Sequence, residues 1–128
     1  MNVIDSSAWL EFFADAANAK VFAKPIRDFE QLIVPSICLY EVFKRVLQQR
    51  SENEALLAVA FMHQGKVVDL DADLALSAAR LGCELKLPMA DSIILATARR
   101  YEASVWTQDA DFEGLKGVKY FPKQAGKQ

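Results

Sequence analysis

Residues 87–98 read Leu-Pro-Met-Ala-Asp-Ser-Ile-Ile-Leu-Ala-Thr-Ala, and this stretch predicts a largely buried helix. Pro88 suits the first helical turn, where the backbone N–H that proline lacks would have had no partner. The apolar residues from Ile93 to Ala98 cover almost the whole helix circumference, which implies burial on more than one side. A single carboxylate, Asp91, stands near the start. Asp91 could cap the helix, because free N–H groups and the positive end of the dipole favour an acid there, or it could belong to a functional site.

The composition predicts one domain, residues 1–128, with its own hydrophobic core. Of the 128 residues, 52% are hydrophobic, and glycine and proline are too sparse for long linkers. There is no apolar run of membrane-spanning length, and the N-terminus lacks the basic and apolar regions of a secretory signal. We therefore expect a cytoplasmic protein without membrane contact. The polar residues 122–128 are expected to fray.

The counts of charged residues, cysteine and histidine exclude several kinds of chemistry. A net charge of −2 gives no basic footprint for tight, nonspecific binding of nucleic acid. Cys38 and Cys83 stand in apolar patterns, which predicts small buried residues in a reducing compartment. His63 is the single histidine and there is no CxxC motif, so zinc binding, a disulfide and histidine-based acid–base catalysis are not expected. We expect His63 on the surface at a helix end.

Short apolar runs alternate with helical patterns along the chain, which is typical of βαβ units. Strands are predicted at 2–4, 32–34, 66–70, 103–107 and 117–121. Helices are predicted at 8–13, 17–31 (with Pro25 as an interruption), 37–49, 51–63, 72–81 and 88–101. The expected fold class is α/β, with a central, mostly parallel sheet of about five strands and helices on both faces. In such a sheet the site gathers at the carboxyl ends of the strands.

Four acids fall at that edge. Asp5 ends the first strand, Asp109 ends the fourth, Glu41 lies in the helix after the second strand, and Asp91 begins the buried helix. Asp5 and Asp109 could each cap the element that follows, but Glu41 stands among apolar neighbours, where an unpaired carboxylate is costly. Like charges brought together raise each other's pKa or require a cation. Mg²⁺ or Mn²⁺ prefers such oxygen ligands, and it can activate water and neutralise a scissile phosphate.

Four stretches, in this order, resemble the successive motifs of PIN domains, and more narrowly those of VapC toxins from prokaryotic type II toxin–antitoxin pairs. They are residues 3–7 (VIDSS), 34–42 (VPSICLYEV), 87–98 and 106–112 (WTQDADF). The resemblance runs from about residue 2 to residue 121. It implies a PIN-like three-layer sandwich and a Mg²⁺- or Mn²⁺-dependent endoribonuclease that hydrolyses RNA phosphodiesters with a metal-activated water.

The resemblance also implies roles for individual residues. The catalytic and metal-binding quartet would be Asp5, Glu41, Asp91 and Asp109, with Asp5 and Asp91 as the foremost ligands. Ser6 and Thr107 match hydroxyl positions that buttress the acids. Asp111 matches a second acid that ranks below Asp109 and could instead only cap the turn before Phe112. The basic residues Lys44 and Arg45 could contact RNA phosphates or could simply be solvated.

The implied partners are an RNA substrate, a cognate VapB-like antitoxin and a second copy of the chain in a homodimer. Trp9, Phe12 and Phe13 cluster on the first helix and could pack in the core or form an apolar surface for a partner. Two alternatives stay open. One is a non-catalytic PIN-like interaction module. The other is a phosphatase of the haloacid dehalogenase type, which is disfavoured because Ser7 stands where its second aspartate is required.

Overall fold

The computed structural model describes residues 1–124 of the chain. Five strands among these residues form one sheet in which every neighbouring pair is parallel, so the predicted α/β class is confirmed. The strands are β1 (Asn2–Ile4), β2 (Leu32–Pro35), β3 (Lys66–Val68), β4 (Ser104–Thr107) and β5 (Val118–Tyr120). Their order across the sheet is β3-β2-β1-β4-β5, which places β1 in the middle with β2 and β4 as its neighbours.

In the described part of the chain, six helices connect the strands and complete the three layers. They are α1 (Ser6–Phe13), α2 (Ala19–Arg27), α3 (Ser36–Gln49), α4 (Glu52–Met62), α5 (Ala72–Leu85) and α6 (Met89–Arg100). Predicted side-chain caps begin three of them. The Asp5, Ser51 and Asp71 side chains accept hydrogen bonds from the third backbone N–H beyond them, at 3.0, 3.1 and 2.8 Å.

Helix α6 lies in the core, as the apolar stretch predicts. Seven consecutive residues, Ser92–Ala98, are buried, and α6 contacts β1, β2, β4 and α5. The hydroxyl of Thr97, the polar residue in the middle of this helix, donates to the Ile93 carbonyl at 2.7 Å, so its burial leaves no unpaired hydroxyl. Because the helix is held on several sides, the residue at its first turn, Asp91, is held with it.

Several boundaries differ from the predicted ones. Pro88 is the N-cap of α6 and not a residue of its first turn. Helix α5 continues through Gly82 to Leu85 and ends at Lys86, whose φ of 56° is left-handed, because packing against α6 extends the helix past the glycine. The predicted helix 17–31 is two elements: α2, which keeps Pro25 inside it, and a 3₁₀ turn at Phe29–Gln31.

The two cysteines have different environments. Cys38 is buried beside the Ile4 carbonyl, as predicted, but Cys83 is exposed, so the prediction for Cys83 was wrong. His63 is exposed at the C-terminal end of α4, which confirms its predicted position.

The predicted frayed tail is only partly within the described residues. The Pro122 carbonyl accepts a hydrogen bond from Asn18 Nδ2, and Gln124 Nε2 donates to Asn18 Oδ1, at 3.1 and 3.0 Å. Residues 122–124 therefore contact the folded chain, whereas 125–128 lie outside the described residues. Within residues 1–124, none of the helices has the length and apolar character needed to cross a membrane.

The aromatic cluster on α1 belongs mainly to the core. Trp9 is completely buried, and its ring stacks on Phe13 with a centroid separation of 5.6 Å. Phe12 and Phe13 are partly buried and contact Phe61 of α4. The packing alternative thus holds for Trp9, while the outer edges of Phe12 and Phe13 stay accessible.

Candidate active site

The four predicted acids line one cleft at the carboxyl edge of the sheet. Asp5 follows β1, Asp109 follows β4, Glu41 lies on α3 after β2, and Asp91 lies in the first turn of α6. The cleft has a volume of about 470 Å³, and we call it the acidic cleft. Its lining residues are Asp5, Ser6, Ser7, Leu10, Tyr40, Glu41, Lys44, Arg45, Gln48, Asp91, Ile94 and Asp109. Residues up to 104 positions apart in the chain are brought together in this way.

Asp5 is the most buried of the four acids, with 2% of its surface exposed. Its Oδ1 accepts from the Ala8 N–H at 3.0 Å and from Ser7 Oγ at 2.9 Å, and its Oδ2 accepts from Thr107 Oγ1 at 2.9 Å. Burial raises the pKa of Asp5 to about 6, although these hydrogen bonds act in the opposite direction. Asp5 therefore caps α1 and is held in a single orientation at the cleft wall.

Glu41 is oriented by a side chain from another element. Ser6 Oγ, at the start of α1, donates to Glu41 Oε1 at 2.6 Å. Glu41 is partly exposed, and its stripe on α3 borders the core because the next residue, Val42, is completely buried. The hydroxyl that sequence comparison suggested as a buttress therefore contacts one acid directly.

Asp91, Asp109 and Asp111 form the closest carboxylate group in the described part of the chain. One oxygen of each lies within 4.8 Å of one oxygen of the other two. Burial, together with the negative charges of Asp109 and Asp5, raises the pKa of Asp91 to about 7. Deprotonation of Asp91 is therefore unfavourable as long as no cation balances the negative charges of the neighbouring carboxylates.

The turn before Phe112 is capped by a different aspartate from Asp111, which the sequence had offered as a possible cap. The side chain of Asp109, not that of Asp111, caps the 3₁₀ turn Ala110–Phe112, by accepting from the Asp111 N–H at 2.9 Å. Asp111 is exposed, and its carboxylate is free to join the group around Asp91. The turn brings the two carboxylates to the same side.

The chemistry of this donor set fits a hard divalent cation. All the candidate ligands are carboxylate oxygens, and no histidine or cysteine lies among them. Mg²⁺ and Mn²⁺ bind such oxygens, and a cation would offset the repulsion that raises the pKa of Asp91. The group of three at Asp91, Asp109 and Asp111, beside Asp5 and Glu41, is thus a candidate metal centre.

Two basic residues lie beside the acids. Lys44 and Arg45 follow Glu41 by about one turn of α3, line the acidic cleft, and are exposed. They supply positive charge at the rim of a cleft whose floor is acidic. This arrangement suits a ligand that carries phosphates toward a bound cation.

Sequence reasoning missed some residues that shape the cleft. Ser7 donates to both oxygens of Asp5, at 2.9 and 3.0 Å, a local contact that the Asp-Ser-Ser pattern allows. A buried network around Asn18 has no comparable signal, because its members are far apart in sequence. Asn18 Nδ2 donates to Gln108 Oε1 at 3.0 Å, and Gln108 Nε2 donates to Glu11 Oε1 at 3.1 Å. Gln108 directly precedes Asp109, so this network holds the start of the turn that carries it.

Solved structures with the same fold include components of toxin–antitoxin systems. One is a chain of a toxin–antitoxin complex from Klebsiella pneumoniae, with a TM-score of 0.79 and 23% identity over 96% of this chain and 100% of that one. A second is Mycobacterium tuberculosis VapC20, a sarcin-ricin loop cleaving toxin, with a TM-score of 0.77 and 17% identity over 92% and 97%. A third is from DNA-bound VapBC of Salmonella typhimurium, with a TM-score of 0.73 and 17% identity over 94% and 96%.

Identities this low establish a shared fold only. No curated protein matches the sequence. The model of the PIN domain family, however, matches residues 3–118, which is most of the chain and includes all four acids of the cleft as well as Asp111. This chain belongs to the PIN domain family.

Proposed function

We propose that this protein is a Mg²⁺- or Mn²⁺-dependent endoribonuclease and the toxin of a toxin–antitoxin pair. The observation that carries the proposal is the convergence of Asp5, Glu41, Asp91 and Asp109 on one cleft, with Asp111 joining two of them within 4.8 Å. Membership of the PIN domain family supports it, as do the toxin–antitoxin proteins among the structures of the same fold.

The metal would be held by Asp91 and Asp109, with Asp5, Glu41 and Asp111 completing or supporting its ligand set. When bound, such an ion lowers the pKa of water and neutralises charge on a scissile phosphodiester. Thr107 and Ser6 keep Asp5 and Glu41 in fixed orientations. The raised pKa of Asp91 favours its protonated form in the metal-free protein, and cation binding would release that proton.

Hydrolysis in this cleft would proceed without a covalent enzyme intermediate. The hydroxyl of Ser6 is engaged with Glu41, and that of Ser92 donates to the Met89 carbonyl at 2.8 Å. Burial raises the pKa of the Cys38 thiol well above its usual value, which keeps it protonated. By resemblance to other PIN domains, a metal-activated water would attack the phosphorus and the 3′-oxygen would leave, which gives products with a 5′-phosphate and a 3′-hydroxyl. Lys44 and Arg45 would contact phosphates of the RNA at the rim.

An antitoxin would bind beside the cleft. An apolar groove of about 450 Å³ lies between α1, α3 and α4, lined by Leu10, Phe13, Ala14, Val46, Gln49, Arg50, Glu54, Leu57, Ala58 and Phe61. Leu57 is 71% exposed there. Leu10 lines both this groove and the acidic cleft, so a peptide bound in the groove could reach the acids. We further propose that the protein forms a homodimer and acts in the cytoplasm, where its RNA substrate is found.

The two alternatives make different demands. A haloacid dehalogenase-type phosphatase needs an aspartate where Ser7 stands, and Ser7 instead orients Asp5. A non-catalytic interaction module has no use for a concentration of repelling acids, which raises the pKa of Asp91 and works against stability at neutral pH. In a ribonuclease the same group of acids is needed to bind the metal, which accounts for the loss of stability at neutral pH.

The direct test compares Asp91→Asn with the wild type. Chelator-treated protein is supplied with Mn²⁺ or Mg²⁺ and incubated with total RNA, and metal binding is measured by calorimetry. We expect Asp91→Asn to lower the cleavage rate by more than about 100-fold, since even outer partners of metal ligands are worth 10- to 100-fold. Asp73→Asn, an exposed acid in the first turn of α5, is the matched control and should behave as the wild type.

Two outcomes would contradict the proposal. Cleavage by Asp91→Asn at the wild-type rate would remove Asp91 from the site. A wild-type protein that binds Mn²⁺ but cleaves no RNA in the total pool would favour the interaction module. Circular dichroism of the variants distinguishes loss of function from loss of fold.

A further inference from the structure

Tyr40 is unusual among the aromatic residues of the chain. Its surface is 59% exposed, whereas the other aromatic residues among 1–124 are buried or partly buried. Tyr40 directly precedes Glu41 on α3 and lines the acidic cleft. An exposed ring at this position contributes little to the core, so its place at the cleft calls for a ligand with a flat, apolar face.

A cation accompanies the ring. Lys44, four residues further along α3, places its Nζ 5.6 Å from the centroid of the Tyr40 ring. Residues four apart lie on the same face of a helix, about 6 Å apart along its axis at 1.5 Å per residue. Arg45 stands in the same relation to Glu41. On the face of α3 that lines the cleft, the Tyr40 ring and the Glu41 carboxylate are therefore neighbours. The two cations, Lys44 and Arg45, lie one helical turn further along.

A flat apolar surface beside a cation matches the two parts of a nucleotide. Unpaired bases stack on aromatic side chains, while the backbone phosphates contact lysine and arginine. In a continuous duplex both faces of each base are already covered by neighbouring bases. A duplex in the cleft would therefore leave the Tyr40 ring without an exposed base face to contact, and its phosphates would lie against the acidic floor.

We propose that Tyr40 is the stacking platform for one unpaired base of the substrate, with Lys44 on an adjacent phosphate. This inference rests on the proposed ribonuclease function and adds to it a residue that binds one base of the RNA. Tyr40 is a binding residue in this scheme and is not part of the metal centre.

The test uses single-stranded oligoribonucleotides that contain 2-aminopurine, whose fluorescence falls when it stacks. Binding is measured with Ca²⁺ in place of Mg²⁺, and a gel verifies that the RNA stays intact. The variants are Tyr40→Phe, which keeps a ring, and Tyr40→Leu, which keeps an apolar side chain without one. Leu47→Ala changes another exposed apolar residue of α3 that lies outside the cleft, and it is the control.

We expect the wild type, Tyr40→Phe and Leu47→Ala to quench the single-stranded probe. We expect Tyr40→Leu to bind it roughly 5- to 150-fold more weakly, with reduced quenching, because loss of a base–aromatic stack has an effect of this size. In a duplex the same label is already stacked and its fluorescence already low, so adding the protein should not lower that fluorescence further. In turnover with Mn²⁺, Tyr40→Leu should raise KM by a similar factor and leave kcat within about twofold, as expected for an interaction made equally in ground and transition states.

The outcomes separate this inference from the function on which it rests. If the wild type cleaves RNA but Tyr40→Leu has the same KM and quenching as the wild type, the stacking role is wrong, the ribonuclease stands, and the ring is left for a protein partner. If the wild type cleaves no RNA but quenches the probe through Tyr40, the catalytic proposal fails and the base-stacking site stands. Equal binding of the duplex and the single strand would contradict stacking of Tyr40 on an unpaired base.

Discussion

Thr107 and Asp5 are joined by a hydrogen bond of 2.9 Å, from Oγ1 of the threonine to Oδ2 of the aspartate. The same Oγ1 accepts from the backbone N–H of Asp109 at 2.9 Å. Because β1 and β4 are neighbours, a single hydroxyl at the end of β4 orders one acid on each of two strands. The side chain is completely buried, so water cannot take its place.

Thr107→Val is predicted to disturb both acids without changing the shape of the side chain. The Asp109 N–H loses its acceptor and Asp5 loses a donor that lowers its pKa. We expect the free energy of unfolding to fall by about 1–3 kcal/mol. Because the pKa of Asp5 should rise above about 6, we also expect the acidic limb of the pH–rate profile for RNA cleavage to move to higher pH.

Thr107→Ser is the matched variant, since it keeps the hydroxyl and removes only a methyl group. It should retain the wild-type pH profile even where some stability is lost. A Thr107→Val protein with an unshifted profile would show that the hydroxyl does not act on the acids.

The metal-free protein is predicted to be more stable at mildly acidic pH than at pH 8. The pKa of Asp5 is raised to about 6 and that of Asp91 to about 7, both above the ordinary value of 3.8. A raised pKa in the folded state means that the stabilising contribution is fully present at low pH and is lost as the pH rises through the folded pKa. We expect Tm in the presence of a chelator to fall between pH 5 and pH 8.

Two further measurements check the cause of this pH dependence. Mn²⁺ should raise Tm more at pH 8 than at pH 5, because the ligands are then ionised. Asp91→Asn should reduce the fall in Tm with rising pH in the metal-free protein. A Tm of that variant that falls as steeply as in the wild type would mean that other groups control the effect.

The network around Asn18 is predicted to be a second support of the cleft. Asn18 is 2% exposed, and its amide donates to Gln108 Oε1 and to the Pro122 carbonyl. Its backbone N–H donates to Glu11 Oε2 at 2.8 Å. Asn18→Asp has the same shape but replaces the two donors by an acceptor beside Glu11, so we expect a loss of about 2–4 kcal/mol in the free energy of unfolding.

Asn18→Asp should also lower cleavage activity, because Gln108 precedes Asp109. A double-mutant cycle with Gln108→Ala, followed by urea unfolding, measures the coupling between the two side chains. Additive effects of the two substitutions would contradict the network, since groups in direct contact couple.

Two glycine substitutions are predicted to have opposite effects. A Cβ at Gly82, inside α5, would make ordinary contacts of 3.5 Å with Ser92, so Gly82→Ala should stabilise the protein by about 0.5–1 kcal/mol. A Cβ at Gly65 would lie 2.9 Å from the Leu32 side chain and 3.0 Å from its carbonyl oxygen. Gly65→Ala should therefore destabilise by about 1–3 kcal/mol. Urea unfolding measures the change in the free energy of unfolding for both variants, which should be positive for Gly82→Ala and negative for Gly65→Ala. Equal changes in the two variants would contradict the close approach of Leu32 to Gly65.

Patterns that act over a few residues were readable in the sequence. Alternating apolar runs and helical patterns predicted the parallel sheet, and the apolar circumference of residues 93–98 predicted the burial of α6. Caps at Ser51 and Asp71 were also predictable, because each bonds to a backbone N–H three residues away. The convergence of four acids followed from the rule that parallel strands end at the same edge, because each acid follows or flanks such an end.

The tertiary structure decided what depends on partners that are distant in the chain. Helix α5 passes through Gly82 because α6 packs along it. Asn18 is buried because Gln108 and Pro122 lie beside it. The composition of the acidic cleft thus comes from the sequence, but the orientation of its carboxylates comes from hydroxyls such as Thr107, which meets Asp5 across 102 residues. A hydrogen bond requires atoms to meet within about 3 Å, and only the folded chain determines which atoms do so.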